Sequence, residues 1–139
     1  MTQPAVVRRP TTRLFKTRSL GFKIFALVIA PLMYGAITGI ALGASAAAYW
    51  VLIAIGVVAA ISSGYEHDEP LAAMCRGSLS AALFTGGLLG ILWITGSTPR
   101  VVLPPPSVFL PMNCIAGAVI CAAGAWRRHR AEGRPAVQV

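Results

Sequence analysis

Charged side chains stop at Lys23 and do not return in number until Arg127; between them stand only the cluster Glu66-His67-Asp68-Glu69, Arg76 and Arg100. What lies between is apolar and falls into blocks, each close to the roughly 20 residues that an α-helix needs to cross a hydrocarbon core about 30 Å thick. A water-soluble helical bundle would carry charges at helical spacing along the outward face of every helix. Those faces are missing. With 56% hydrophobic and 12% charged residues in a chain of 139, there is too little polar surface to cover a soluble domain. The fold class expected is therefore an all-α integral membrane protein, a four-transmembrane-helix bundle with both ends in the cytoplasm.

The blocks divide the chain into a basic N-terminal tail, 1–21, a transmembrane domain, 22–126, and a basic C-terminal tail, 127–139. Spans are expected at about 22–43, 46–62, 77–96 and 108–126. The small residues Ala44 to Ala47 leave room only for a tight antiparallel turn between the first two. Pro70 suits a first helical turn, and Asp68 or Glu69 can cap the free N–H groups there. Thr98 to Ser107, with Pro99 and the run Pro104-Pro105-Pro106, cannot continue a helix and reads as an extended linker. Pro31 falls inside the first span, where it removes one backbone hydrogen bond, so a bend is expected.

Orientation follows from the basic residues, because Lys and Arg are retained on the cytoplasmic side. An N-in, C-in arrangement places Arg8, Arg9, Arg13, Lys16, Arg18, Lys23, Arg76, Arg127, Arg128, Arg130 and Arg134 inside and Arg100 alone outside. Aromatic residues agree: Tyr49, Trp50 and Trp93 fall near the outer boundary, and Phe22, Tyr65 and Trp126 near the inner one. Ala44-Ser45-Ala46 resembles a signal cleavage site, but the apolar run before it exceeds the roughly 7 to 15 residues of a signal h-region. The preference for arginine over lysine and the richness in alanine resemble small membrane proteins of high-GC bacteria. The expected location is thus a cell membrane, crossed several times, in a bacterial inner membrane. A net charge of +8 invites a nucleic-acid reading, yet the charge tracks helix ends and no aromatic-interleaved basic groove accompanies it. Nucleic acid is not an expected partner; anionic lipid headgroups at the basic tails are.

Two overlapping GxxxG units, Gly35, Gly39 and Gly43, mark one face of the first span, and Gly86 and Gly90 suggest a similar face on the third. Glycine there lets a neighbouring backbone approach closely enough to gain contacts that lipid does not supply. Packing among the chain's own helices is the first reading, a homo-oligomer or a membrane-protein partner the second. In the fourth span Gly117, Cys121 and Ala125 repeat the pattern. Cys114 and Cys121 are seven residues apart on that helix, about 10 Å, and cannot bond to each other.

Glu66, His67, Asp68 and Glu69 are the one concentration of side chains suited to metal ligation or acid–base chemistry. Zinc sites draw three or four ligands from at least two elements, and the other histidine, His129, lies in the basic tail. Ion pairing with the flanking Arg and Lys explains the cluster more simply; docking of another protein and a metal or catalytic site are the weaker readings. No cofactor is implied. No nucleophile-elbow, phosphate-loop, HExxH or haem-attachment pattern occurs, and no ionisable group lies deep in a span. The leading expectation is a non-enzymatic accessory or assembly subunit, followed by a small oligomeric channel or transporter, and then by a membrane enzyme or metal site using the Glu66 to Glu69 loop. The topology has a direct test: reporter fusions after Arg130 and within Glu66 to Glu69 should report cytoplasm and one near Pro105 the outside, so an inside signal at Pro105 would refute it.

Overall fold

The computed structural model describes residues 15–67 and 69–132. Four long helices dominate it: α1 (Leu20–Ala44), α2 (Ala46–Tyr65), α3 (Pro70–Thr95) and α4 (Pro106–Glu132). All four are long and apolar enough to cross a membrane, and among the described residues there is no strand. Helix is the local solution that lipid demands, because a backbone N–H or C=O in hydrocarbon must be satisfied within its own segment. Arg8, Arg9, Arg13, Asp68 and Arg134 lie outside the described residues.

Side chains and linkers set the ends. Ser19 starts α1 by accepting from the Phe22 N–H, and Ser45, extended, starts α2 by accepting from the Ala48 N–H, both at 3.4 Å. One residue thus suffices to turn α1 into α2. α3 stops at Gly96, whose φ of +63° is a left-handed conformation that favours glycine. Beyond it the linker folds back over the end of α1: the Arg100 N–H donates to Leu42 O at 2.9 Å and its Nε to Gly43 O at 3.3 Å. These are carbonyls that a helix leaves without intrahelical partners. At the other end Arg128 Nη1 donates to Tyr65 O at 3.2 Å, capping α2 with a cation where the helix dipole favours one.

Two helices outgrow their expected spans. α3 begins at Pro70, the first-turn position expected of that proline, and Leu71 to Cys75 carry it into the span expected from about Gly77. Glu69 holds the N-cap position without a capping side-chain bond. α4 starts at Pro106 and runs through the basic segment to Glu132, with Arg130 stacked 3.6 Å over the Trp126 ring. In α1, Phe25–Ile29 is a π-helical turn directly ahead of Pro31. The wider turn moves aside the carbonyl that the proline ring would meet and is a recognised way to absorb such a residue.

α1 and α3 run in one direction and α2 and α4 in the other. α3 packs along both α1 and α4, α4 also packs along α2, and α1 and α2 touch less. The closest approaches are at glycine. A Cβ on Gly35 would overlap Phe84 O, one on Gly87 would overlap Leu32 O, and one on Gly39 would lie 2.7 Å from Leu88 O. Gly43 is looser, 3.1 Å from Ser97 Cβ. Between α2 and α4, Gly64 meets the Cys121 carbonyl and Gly124 the Ile61 carbonyl; between α3 and α4, Gly77 and Gly117 meet each other's backbone. Gly86 and Gly90 do not pack against the chain's own described helices. A Cβ on either would meet nothing within 4 Å, and Gly87, one residue along and 100° around the helix, carries the contact.

Small clusters fill the remainder. Leu42, Tyr49, Leu88 and Phe109 form one beneath the linker, and Ala73, Cys121 and Ala125 another toward the basic end. Several polar side chains within the spans are bonded internally. Thr38 and Thr85 donate to Tyr34 O and Ala81 O, both at 2.8 Å, Asn113 Nδ2 donates to Thr85 Oγ1 at 3.0 Å, and Ser78 Oγ to Cys114 O at 3.2 Å. Replacing Gly35 or Gly87 with leucine should cost on the order of one to a few kcal/mol, because a backbone must retreat. Gly86→Leu should leave the unfolding midpoint in detergent unchanged, and equal losses at Gly86 and Gly87 would show that close approach is not what holds α1 to α3.

Candidate functional site

The chemistry of this chain gathers at the basic end, where the short turn Phe15–Thr17, the α2–α3 loop, the first turns of α3 and the last turns of α4 converge. Its centre is Arg76. Two turns inside α3, its side chain is only 9% exposed, and Nη1 reaches Glu66 Oε2 at 3.4 Å, His67 Nε2 at 3.1 Å and Ser63 O at 3.5 Å. The guanidinium lies 4.1 Å over the Phe15 ring, which stands 5.3 Å from the His67 ring. A guanidinium near the hydrocarbon boundary is tolerated only when its donors find acceptors, and here a carboxylate, an imidazole and a carbonyl supply them.

Glu66 serves two cations at once. Its Oε1 takes Arg18 Nη2 at 3.4 Å while Oε2 takes Arg76, and its backbone oxygen accepts from the Phe15 N–H at 3.0 Å. The segment entering α1 is thereby fastened to the end of α2. Arg18 also stacks 4.9 Å over the Phe22 ring, and its Nε is buried with no hydrogen-bond partner among the described residues. Two guanidinium groups thus share one carboxylate, and Arg128, 5% exposed, places a third guanidinium on the Tyr65 carbonyl.

The geometry bears directly on the metal candidates. Arginine has no acceptor, so the Arg76–His67 contact at 3.1 Å is a hydrogen bond in the tautomer whose Nε2 accepts. The lone pair that would bind a metal is directed at a cation. Glu66 is likewise turned onto Arg18 and Arg76, Glu69 is exposed, and Asp68 lies outside the described residues. Among the described residues, no group of three His, Cys, Asp or Glu side chains could hold a metal ion.

Away from this corner, Gly35 and Gly39 lie against α3, Gly43 against the linker at Ser97, and Gly86 and Gly90 meet none of these surfaces. Three contributors were not singled out in the sequence. Asn113 is the single amide side chain between the tails, which is signal enough to mark it as a link between spans. Phe15 and the buried Arg128 carried no such mark, since each becomes distinctive only through a partner distant in the chain. Comparison with protein-family models, curated proteins and solved structures finds no match. If the shared carboxylate holds the entering segment down, Glu66→Gln should speed tryptic cleavage after Arg18 several-fold, and Glu69→Gln should not; equal rates in the two variants would show the pairs to be incidental.

Proposed function

We propose that this protein is a non-enzymatic accessory or assembly subunit of a bacterial inner membrane, with both termini cytoplasmic, acting through helix packing and through the charges of its basic end. The observation that carries this reading is that the mid-span groups Tyr34, Thr38, Thr85 and Asn113 are bonded within the bundle. Tyr34 donates to Leu52 O, Thr38 to Tyr34 O, Thr85 to Ala81 O and Asn113 to Thr85, so these mid-span polar groups are spent on the bundle. An ion or proton path would need polar or ionisable groups facing a common lumen. Charged side chains of the described spans stand instead near their ends, Lys23 and Arg76 at the starts of α1 and α3 and Arg127 to Arg130 at the finish of α4.

The N-in orientation draws on the eleven-to-one division of Lys and Arg, and it puts Arg18, Lys23, Arg76, Arg127, Arg128 and Arg130 on the side of anionic headgroups and cytoplasmic partners. Each such cation near an anionic surface contributes about 1 kcal/mol, so the basic end would be held at the interface by several of them. Purification in mild detergent followed by reconstitution tests the role. A membrane-protein partner retained in fixed ratio, with no flux in liposomes, is the expected result; a homo-oligomer that conducts ions in liposomes would refute the proposal.

A further inference from the structure

The glycine contacts are reciprocal in a way that relates the two halves of the chain. Gly35 meets the carbonyl of Phe84, and Gly87 meets that of Leu32; Gly87 stands three residues after Phe84 as Gly35 stands three after Leu32. The second pair behaves alike. Gly64 meets the carbonyl of Cys121 and Gly124 that of Ile61, again each three residues after its counterpart. Such reciprocity between parallel helices is what a two-fold axis along the bundle produces. Stepping outward in register, Ala46 falls opposite Pro106, the first residues of α2 and α4, and Tyr49 falls opposite Phe109, both 5% exposed in one cluster. The hairpins α1–α2 and α3–α4 are therefore two versions of one unit around a pseudo-two-fold axis.

The two versions differ at one seam. In the second hairpin α3 and α4 are closed by Gly77 on Gly117, by Ser78 on Cys114 and by Asn113 on Thr85. Carried to the first hairpin, those positions are Phe25 and Val57, Ala26 and Ala54, Ile53 and Met33. They do not close. Phe25 is 55% exposed, Met33 56% and Val57 37%. Phe25–Ile29 packs toward α3 and leaves α2, and no residue of Leu20–Ile24 or Phe25–Ile29 is buried. The side chain that crosses between α1 and α2 is Tyr34, its hydroxyl on Leu52 O and its ring against Gly56 and Phe84. On α2, Ala54 of this register and its exposed neighbours Ile55, Val58 and Ala59 line an open apolar groove of about 410 Å³.

From these observations we infer that the open seam between α1 and α2 binds one anionic phospholipid of the leaflet at the basic end. The seam is apolar along its length, and Tyr34 stands about 21 Å above Leu20 at 1.5 Å per residue, enough to span the roughly 15 Å of one leaflet's hydrocarbon. Its mouth is cationic. Arg18 bridges the start of α1, through Phe22, and the end of α2, through Glu66, and it shares that carboxylate with Arg76; in the sequence of this end Lys16, Arg18, Lys23, Arg76, Arg127, Arg128 and Arg130 outnumber Glu66, Asp68, Glu69 and Glu132. An acyl chain fits the seam, a phosphate diester fits the mouth, and a partner's apolar helix would leave the cationic mouth uncompensated. The site does not depend on the accessory role proposed above, since it is built within one chain.

Native mass spectrometry of the full-length protein released from bilayers of equal phosphatidylglycerol and phosphatidylcholine tests the assignment. One phosphatidylglycerol should be retained per chain, favoured over phosphatidylcholine about fivefold, the ratio that ~1 kcal/mol from one interfacial cation gives. Arg18→Gln should abolish that preference, Arg18→Lys should keep most of it, and Arg127→Gln, at an exposed cation of the same end, should leave it intact. Ala54→Trp, at an exposed position where the fold has room, should displace the lipid by filling the groove. Equal retention of the two lipids, equal effects of Arg18→Gln and Arg127→Gln, an unaffected Ala54→Trp variant, or a second polypeptide in place of the lipid would each overturn the site.

Discussion

Backbone meeting backbone at glycine is the interaction on which the rest of this bundle depends. In lipid the helices gain nothing from hiding apolar side chains, because the surrounding tails are as apolar as leucine; association has to come from closer contact than lipid can make. α1 and α3 achieve it at Gly35, Gly39 and Gly87, and α2 and α4 at Gly64 and Gly124. Both pairs are parallel, so the chain must cross the bundle between them, and the third contact, Gly77 on Gly117, joins one pair to the other. Once these backbones touch, the few polar side chains are brought within reach, and Asn113 can settle on Thr85.

Charge at the basic end is organised by the same crossings. Gly64 holds the end of α2 against α4, which brings Tyr65 O to Arg128 and turns Glu66 back toward α3 and Arg76. A lone arginine two turns into a span would be costly; with Glu66, His67 and Ser63 around it, Arg76 becomes the post to which the entering segment is tied. Phe15 adds a ring under that guanidinium, and its N–H on Glu66 O completes the attachment. The acidic cluster thus has a structural use that leaves its one described imidazole facing a cation.

The difference between the hairpins has a plain physical origin. Ser45 alone joins α1 to α2, whereas the linker between α3 and α4 is long enough to fold back and cap α1 through Arg100. Side-chain volume then decides how near the helices come. Where α3 and α4 have Gly77 and Gly117, α1 and α2 have Phe25 and Val57, and Phe25 opens the π-helical turn that precedes Pro31. A bundle built from two similar units therefore has one tight seam and one open one.

Much of this architecture was legible in the amino-acid sequence. The uncharged blocks point to four spans, the small residues Ala44 to Ala47 and the prolines of 104–106 mark where the chain turns, and Gly35 and Gly39 announce a close contact, because lipid thickness and backbone hydrogen bonding leave a long apolar segment few alternatives. What the sequence left open concerns angle and partner. Gly86 and Gly90 look as suitable as Gly87 in the sequence, and only the position of α1 selects Gly87, since residues 100° apart on a helix face different neighbours. Pro70 marked the first turn of α3 ahead of its span, whereas the extension of α4 to Glu132 could not be read from hydropathy, which marks where lipid ends and not where helix does. Arg76, Glu66 and Phe15 are distant in the chain and ordinary by themselves; their meeting, like the pairing of the two hairpins, belongs to the tertiary structure, because a crossing point is a property of two helices together.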